Sequence, residues 1–209
     1  MTNDVVVPDN IVRALTIKGS APVDGLASAV LSNRERVQPI VDRLVEERLV
    51  ERAGTMFRLS RDGQLRGRKL LAADGGRWGM ENASAALDAF HRLDTRMKET
   101  ITAWQLRDVD GKQVLNDHTD GAYDRGVLGQ LTALHKDTSV WVSSLSAAPE
   151  GIRLSLARLE RALQSARLDP RFMASPSVDS YHGVWFELHE TLILLAGRNR
   201  ADEAAAGRA

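Results

Sequence analysis

The sequence predicts a mainly α-helical protein with one short β-hairpin, and three observations lead to this prediction. Apolar residues recur at three- and four-residue spacing along most of the 209 residues, as in amphipathic helices. One stretch, LVERAGTMFRLS at residues 49–60, has two β-prone halves around a glycine, which is typical of a hairpin. Beyond Asp74-Gly75-Gly76 the helical patterns become longer. We therefore expect two units, at residues 8–74 and 77–200, of which the second is an antiparallel helical bundle.

The composition is that of a folded protein in a reducing compartment. Hydrophobic residues make up 43% and charged residues 27% of the chain, which is ordinary for a globular protein. The chain has no cysteine, which excludes disulfides, zinc ribbons and thiol chemistry. The first ten residues lack a secretory signal, and the apolar run LILLAG at residues 192–197 is far shorter than the ~20 residues of a membrane span. We expect a cytoplasmic protein without a membrane partner.

The first two helices are predicted from their ends and their apolar spacing. Asp9 is expected to cap the first helix, and Gly19-Ser20 is expected to end it. Pro22 lies in the first turn of the second helix, where proline is well tolerated. The inward-facing apolar positions of the two helices are Ile11, Val12, Leu15, Ile17, Leu26, Ala27, Val30 and Leu31.

The third helix is predicted to begin at a capping box. Ser32 and Glu35 have the spacing at which each side chain can satisfy a free amide of the first turn. Pro39 lies inside this helix and is expected to kink it or to delay its start, because proline lacks an amide. One apolar stripe follows at helical spacing, and it consists of Val37, Ile40, Val41, Leu44 and Val45.

The hairpin and a fourth helix complete the N-terminal unit. The two strands are expected to pair around Ala53-Gly54-Thr55. Ser60 is expected to cap a helix that runs to about Ala73 and stops at the Gly-Gly pair that follows. Three short helices, a hairpin and a further helix occur in this order in the winged helix-turn-helix fold.

The stretch LSNRERVQPIVDRLVEERLVERAGTMFRLSRDG at residues 31–63 resembles the DNA-binding domains of MarR-type winged-helix repressors. The apolar spacing, the cap, the wing and the closing L-S-x-x-G agree, and the resemblance extends over roughly residues 10–71. Arg48 departs from the family, which usually has a helix-ending glycine there, and so does Pro39 within the recognition helix. The resemblance implies a homodimeric transcriptional regulator that is not an enzyme, whose bundle dimerises and holds a small-molecule effector.

The outward face of the third helix predicts the contacts with double-stranded DNA. Arg, Asn and Gln side chains can read guanine and adenine edges in the major groove, so Arg34, Arg36 and Gln38 are our first choices for base readout. Arg52 and Arg58 flank the hairpin tip and are placed to reach phosphates. The alternative is that these are solvated charges on a helical surface. The predicted DNA-binding residues are Ser32, Asn33, Arg34, Arg36, Gln38, Arg43, Arg52 and Arg58.

The charge balance argues mildly against DNA binding. The chain has 28 basic and 28 acidic residues, and residues 1–74 hold 12 Lys or Arg against 10 Asp or Glu. A DNA-binding domain usually shows a stronger basic footprint, and Asp42, Glu46 and Glu47 would repel phosphate if they faced the duplex. A protein–protein adaptor whose winged helix no longer binds DNA is therefore a second hypothesis.

Four long helices are predicted in the bundle, at about residues 81–107, 123–145, 149–168 and 178–196. We expect a polar surface loop at residues 108–122 and a frayed tail at residues 201–209. Aromatic residues at helical spacing either line an apolar ligand pocket or fill the core of the bundle. They are Phe90, Trp104, Trp141, Tyr181 and Trp185.

Three histidines of the bundle are candidate metal ligands. The words DAFH and YHGVWFELHE, which contain His91, His182 and His189, resemble helical effector domains of GntR-type regulators that bind a metal. Their spacing and order do not match the motif of that family, and neutral histidines with hydrogen-bond partners are the commoner case. We therefore predict no metal and no cofactor. The sequence also contains no arrangement of catalytic residues and no nucleotide-binding loop.

Overall fold

The computed structural model describes residues 6–205 and 207, and within them the chain is mainly helical with two small antiparallel sheets. The helices are α1 (Pro8–Lys18), α2 (Val23–Ala29), α3 (Arg34–Glu46), α4 (Arg61–Trp78), α5 (Met80–Gln105), α6 (Gly121–Ser144), α7 (Glu150–Ala166), α8 (Arg171–Ala174), α9 (Tyr181–Leu195) and α10 (Arg200–Ala205). The strands are β1 (Ser20–Ala21), β2 (Val50–Ala53), β3 (Met56–Leu59), β4 (Leu106–Val109) and β5 (Lys112–Leu115).

The predicted hairpin at residues 49–60 is confirmed, and it belongs to a three-stranded sheet in the order β1-β3-β2. Ala53 lies opposite Met56, so Gly54-Thr55 forms a two-residue turn. Gly54 has a φ of +63°, which glycine adopts without steric cost. Strand β1 was not predicted, because two residues are too short to show the alternation of a strand.

Two separate hydrophobic cores are present. The first lies between α1, α2, α3 and the three-stranded sheet, and the second lies inside the helical bundle. Val37, Val41 and Leu44 of the predicted stripe are fully buried in the first core. The other buried residues of the first core are Ile11, Val12, Leu15, Ala21, Val23, Leu26, Ala27, Val50, Phe57 and Leu59.

The predicted capping box of Ser32 and Glu35 at the start of α3 is wrong. Asn33 caps the helix, and its side-chain oxygen accepts a hydrogen bond from the Arg36 amide at 3.1 Å. The amide of Ser32, which Glu35 would satisfy in a capping box, instead donates to the carbonyl of Ala27 at 2.8 Å and closes the end of α2. Leu31 makes this closure with a φ of +50°, in the hydrogen-bond pattern of a Schellman motif.

The predicted cap of α1 is wrong, and of the two alternatives expected for Pro39 the delayed start of α3 is wrong. Asp9 does not cap α1, since Pro8 occupies the first helical position and Val7 precedes it as the N-cap. Asp9 lies in the first turn and pairs with Arg66 of α4 at 2.6 Å. Pro39 does not delay the start of α3, which begins at Arg34 and contains Pro39 on its exposed side.

Helix α3 ends in a Schellman motif that uses Arg48 in place of the glycine of the resembled family. The amide of Arg48 donates to Val45 and that of Leu49 donates to Leu44, both at 3.0 Å. Arg48 has a φ of +59°, in the left-handed region that costs free energy for a residue with a Cβ. The C-terminal end of α3 therefore has the hydrogen bonds of a Schellman motif, with Arg48 as its strained residue.

Helix α4 does not stop at Gly75-Gly76 as predicted, but continues to Trp78. Gly75 is buried against the backbone of Leu195 at the end of α9, so tertiary packing explains a glycine within the helix. The helix ends at Gly79, whose φ is +95°. Because Leu70 of α4 packs against the first core and Trp78 of α4 belongs to the second, one continuous helix links the two cores.

The four long predicted helices of the bundle are present as α5, α6, α7 and α9. The predicted surface loop is wrong in part, because β4 and β5 form a hairpin there with a turn at Asp110-Gly111. Both turn residues have positive φ, and an Asp-Gly pair is a strong hairpin signal. The predicted frayed tail is wrong for residues 201–205, which lie in α10, while residues 206, 208 and 209 lie outside the described residues.

Within the described residues, none of the helices combines the length and the apolar character that crossing a membrane requires.

Candidate nucleic-acid interface and contacts between the two units

The outward face of α3 carries the residues predicted to read DNA bases. The buried stripe packs against α1 and α2, which turns the opposite side of the helix to the solvent. Arg34 and Arg36 are exposed in the first turn, and Gln38 is half-buried one turn later. Ser32 is half-buried just before the helix, and Asn33 uses its side-chain oxygen as the cap.

Three predicted polar residues of α3 lie beside a carboxylate. Arg34 pairs with Asp24 of α2 at 2.9 Å. Gln38 donates to Asp42, and Arg43 pairs with Glu47, each at 2.9 Å within the helix. Exposed ion pairs contribute only about 0–1 kcal/mol, so these side chains can exchange their partners at little cost.

The hairpin presents two arginines beside α3, which packs against β2. Arg58 donates two hydrogen bonds to one carboxylate oxygen of Glu51 across the strands, at 3.0 and 3.1 Å. Arg52 lies over the ring of Phe57, 5.5 Å from its centroid, and donates to the carbonyl of Gly54. Arg52 is thus fixed near the tip by a ring and a carbonyl, whereas Arg58 is neutralised by a carboxylate.

A network of buried charges connects the first unit to the bundle, and the sequence analysis missed it. The guanidinium of Arg158, on α7, is 5% exposed and donates to Glu187 of α9 at 2.6 Å and to Asp179 at 3.0 Å. Lys18, at the end of α1, approaches the same two carboxylates at 2.5 and 3.4 Å. The hydroxyl of Ser28 on α2 donates to Asp179 as well.

The network favours the charged forms of Arg158 and Asp179. Burial opposes the charge of Arg158, but the hydrogen bond and charge of Glu187 and the charge of Asp179 outweigh it, so the pKa of Arg158 is raised. Burial also opposes the charge of Asp179, yet Arg158 and Lys18 lower the pKa of that carboxyl below its usual value. The only trace in the sequence is a lone arginine on the apolar stripe of α7, between Ser155 and Leu159.

The five predicted pocket aromatics form two packed groups. Phe90 stacks on Trp185 with ring centroids 4.9 Å apart and meets Trp141 at 5.7 Å, while Tyr181 stacks on Trp185 at 6.2 Å. Trp104 lies apart and packs on His118. A cavity lies elsewhere, between α1, α4, α7 and α9, and none of these five aromatics is among the described residues that line it.

The candidate metal-ligating histidines lie around buried Asp94. Nδ1 of His189 is 3.9 Å from an oxygen of Asp94, and the ring centroid of His91 is 6.0 Å from that of His189. Burial lowers the pKa of His189 to about 4 and also lowers the pKa of His182. Among the described residues, no three His, Asp or Glu side chains are arranged to hold a metal ion.

Comparisons with protein-family models, with curated proteins and with solved structures find no match to this chain.

Proposed function

We propose that this chain is a winged-helix DNA-binding transcriptional regulator that acts as a homodimer. The observation that carries the proposal is the juxtaposition of two polar elements on one small core. These elements are the outer face of α3, with Arg34 and Arg36, and the β2–β3 hairpin, with Arg52 and Arg58. The element order α1-β1-α2-α3-β2-β3-α4 and the sheet order β1-β3-β2 support the assignment of a winged helix.

In this proposal, the first turns of α3 enter the major groove and the hairpin follows the adjacent backbone. Arg34 exchanges Asp24 for a base edge, and Arg36 and Gln38 read neighbouring base pairs. Arg58 exchanges Glu51 for a phosphate, while Arg52 is already held close to the hairpin tip. Because Arg34 and Arg58 are paired before DNA arrives, non-specific attraction is weak and the correct sequence contributes much of the affinity.

A homodimer follows from the way such a helix reads DNA. One recognition helix covers only a few base pairs, and paired half-sites lie about one turn, ~34 Å, apart along the duplex. The bundle is the larger unit and supplies the dimerisation surface in this proposal. A ligand that changes the packing between the units would alter the spacing of the two recognition helices and thereby the affinity for DNA.

The second candidate function is that of a protein–protein adaptor. The observation that favours it is the pairing of Arg34, Arg43 and Arg58 with carboxylates at 2.9 to 3.0 Å. Such pairing leaves the surface nearly neutral, as is common where a surface meets another protein. The adaptor predicts that replacing Arg34 and Arg36 together leaves DNA binding at its non-specific level.

Fluorescence anisotropy tests the two candidates directly. The full-length protein is titrated onto the duplex upstream of its own gene and onto a scrambled duplex, over a series of salt concentrations. Genomic fragments selected by the protein provide an unbiased set of further duplexes. The test variant is Arg34→Ala/Arg36→Ala, and the matched control is Arg92→Ala/Arg125→Ala, which removes two exposed arginines from the bundle.

The regulator requires sequence-selective binding that weakens with salt, is lost in Arg34→Ala/Arg36→Ala and is retained in the control. Equal losses in the two double variants would show that only net charge matters. Weak and unselective binding to every duplex, including the selected fragments, would exclude the regulator and favour the adaptor.

A further inference from the structure

A cavity in the described part of the chain lies between the two units. It has a volume of about 390 Å³, within the range of ~300–1,000 Å³ that is usual for small-molecule sites. Helices α1 and α4 form one wall, and α7 and α9 form the other. The apolar part of the lining includes Ile17, Leu71, Trp78 and Leu154.

The cavity lining holds three arginines and three carboxylates, and two of the arginines meet at one carboxylate, that of Asp74. The Asp74 carboxylate is buried and accepts two hydrogen bonds from Arg13, at 2.7 and 3.0 Å. The same carboxylate accepts a hydrogen bond from Arg77, whose side chain is 69% exposed. Two guanidinium groups therefore share one carboxylate. Glu150 lies near Arg13 and is exposed, where water screens its charge.

The first turn of α7 adds hydrogen-bond donors to the same cavity. The N-cap is Pro149, whose side chain cannot accept a hydrogen bond, and both Glu150 and Gly151 line the cavity. The free amides and the dipole at the start of this 17-residue helix favour a negative charge. A Cβ added to Gly151 would meet no described atom within 4 Å, so the backbone there is accessible.

The cavity lining also includes a buried arginine. Arg158 lines the cavity and is 5% exposed, and its Nε–H has no hydrogen-bond partner among the described residues. A buried donor without a partner destabilises the protein. This Nε atom is itself buried and the guanidinium pairs with Glu187 and Asp179, so the lining groups that can take an anion are Arg77 and the first turn of α7.

We propose that the cavity binds a small amphipathic organic acid in its carboxylate form. The carboxylate lies between Arg77, Arg13 and the first turn of α7, and the apolar body packs between Leu71, Trp78 and Leu154. Arg77 turns from Asp74 to the ligand, which leaves Asp74 paired with Arg13. The ligand then contacts both units. A role as effector of DNA binding rests on the proposed function, but binding of the acid does not.

Isothermal titration calorimetry of the full-length protein with three arylalkanoic acids of increasing size tests this proposal. The probes are phenylacetate, 4-phenylbutyrate and 1-naphthaleneacetate, each compared with its own primary amide, which is uncharged and of similar shape. We expect at least one acid to bind about tenfold more tightly than its amide, because the carboxylate accepts charge-assisted hydrogen bonds.

Two variants locate the bound acid. Arg77→Gln removes an exposed cation at the cavity. It is expected to weaken binding of the acid about fivefold or more and to leave binding of the amide unchanged. The matched control is Arg92→Gln, at an exposed position of α5 away from the cavity lining. It is expected to change the affinity for neither the acid nor the amide. Leu154→Trp fills the apolar part of the cavity and is expected to abolish binding, with circular dichroism used to show that it is folded.

The proposal is overturned if all three acids fail to bind better than their amides. It is also overturned if Arg77→Gln and folded Leu154→Trp both bind the acid as the wild type does. The same acids are then added to the DNA titrations. If the protein binds the acid but no DNA, the cavity site is retained and the regulator is excluded. If the protein binds DNA but none of the acids, the cavity site alone is excluded.

Discussion

Gly75 of α4 lies directly against the carbonyl oxygen of Leu195 at the end of α9. A Cβ at position 75 would come within 2.2 Å of that oxygen, which no side chain can tolerate without a shift of the backbone. Glycine in the interior of a helix costs about 1 kcal/mol relative to alanine. The close approach explains why glycine occupies position 75 despite this cost, because it brings the helix that links the two cores onto the bundle.

We predict that Gly75→Ala destabilises the protein while Gly76→Ala stabilises it. The added methyl at position 75 forces α4 and α9 apart, at a cost of about 1–3 kcal/mol. Position 76 is exposed and open, so the change there gains about 0.5–1 kcal/mol of helix propensity. Urea unfolding followed by circular dichroism measures both, and equal effects at the two positions would contradict the contact.

Arg158→Ala is expected to lower the free energy of unfolding by about 3–5 kcal/mol, because it leaves Asp179 and Glu187 in a mostly buried site with Lys18 as their cationic partner. Arg161→Ala is the matched control on the exposed side of α7 and should change stability by less than about 0.5 kcal/mol. Urea unfolding again measures both. A loss of similar size in the two variants would mean that the network does not stabilise the contact between the units.

Arg48→Gly is expected to raise the free energy of unfolding by about 0.5–1 kcal/mol, because glycine adopts the observed φ of +59° without strain. The matched control is Glu46→Gly at the last residue of the same helix, where glycine should cost about 1 kcal/mol. Thermal unfolding of the two variants is the measurement. If Arg48→Gly is destabilising, a side-chain contact of Arg48 outweighs the backbone strain.

Stability is expected to fall as the pH is lowered from about 6.5 to about 4, through His189. Burial lowers the pKa of His189 to about 4, whereas the ordinary value is 6.5, although Asp94 acts in the opposite direction. Between these values the unfolded chain binds a proton at this site and the folded protein does not. The loss is on the order of 3 kcal/mol at most and is complete below the lower value.

His189→Gln removes this contribution, so its free energy of unfolding should depend less steeply on pH between 4 and 6.5 than that of the wild type. Urea unfolding at several pH values gives the two slopes, and above about 6.5 the two proteins should run in parallel. Identical slopes below this value would show that His189 takes up its proton in the folded protein as readily as in the unfolded chain.

Neutralising an acidic partner of the proposed DNA-binding surface is expected to tighten DNA binding. Glu51→Gln releases Arg58 from its two hydrogen bonds and removes a charge that repels phosphate, so affinity should rise roughly two- to fivefold. Glu99→Gln, at an exposed site on α5, is the control with the same change of net charge. Anisotropy titrations at fixed salt compare them, and an equal rise in both would mean that Glu51 does not face the duplex.

Much of the fold was predictable because it depends on local sequence. The stripe of Val37, Val41 and Leu44 repeats at helical spacing, and burying it leaves α3 one possible orientation on its core. The hairpin around Gly54-Thr55 is equally local, since a glycine between two β-prone segments specifies the turn. The residues of the candidate interface follow from these two elements, because a buried stripe determines which side chains face outward.

Tertiary structure decided what depends on residues far apart in the chain. Asn33 rather than Ser32 caps α3, and the amide of Ser32 closes the end of the preceding helix. Arg158 and Lys18 are 140 positions apart, yet they share two carboxylates, and no local pattern encodes such a meeting. The sequence by itself determined the elements and their buried faces, since these follow from the spacing of side chains along one segment. Only the packing of α4 and α7 against their neighbours determined the buried charges and the cavity, because both lie where separate segments meet.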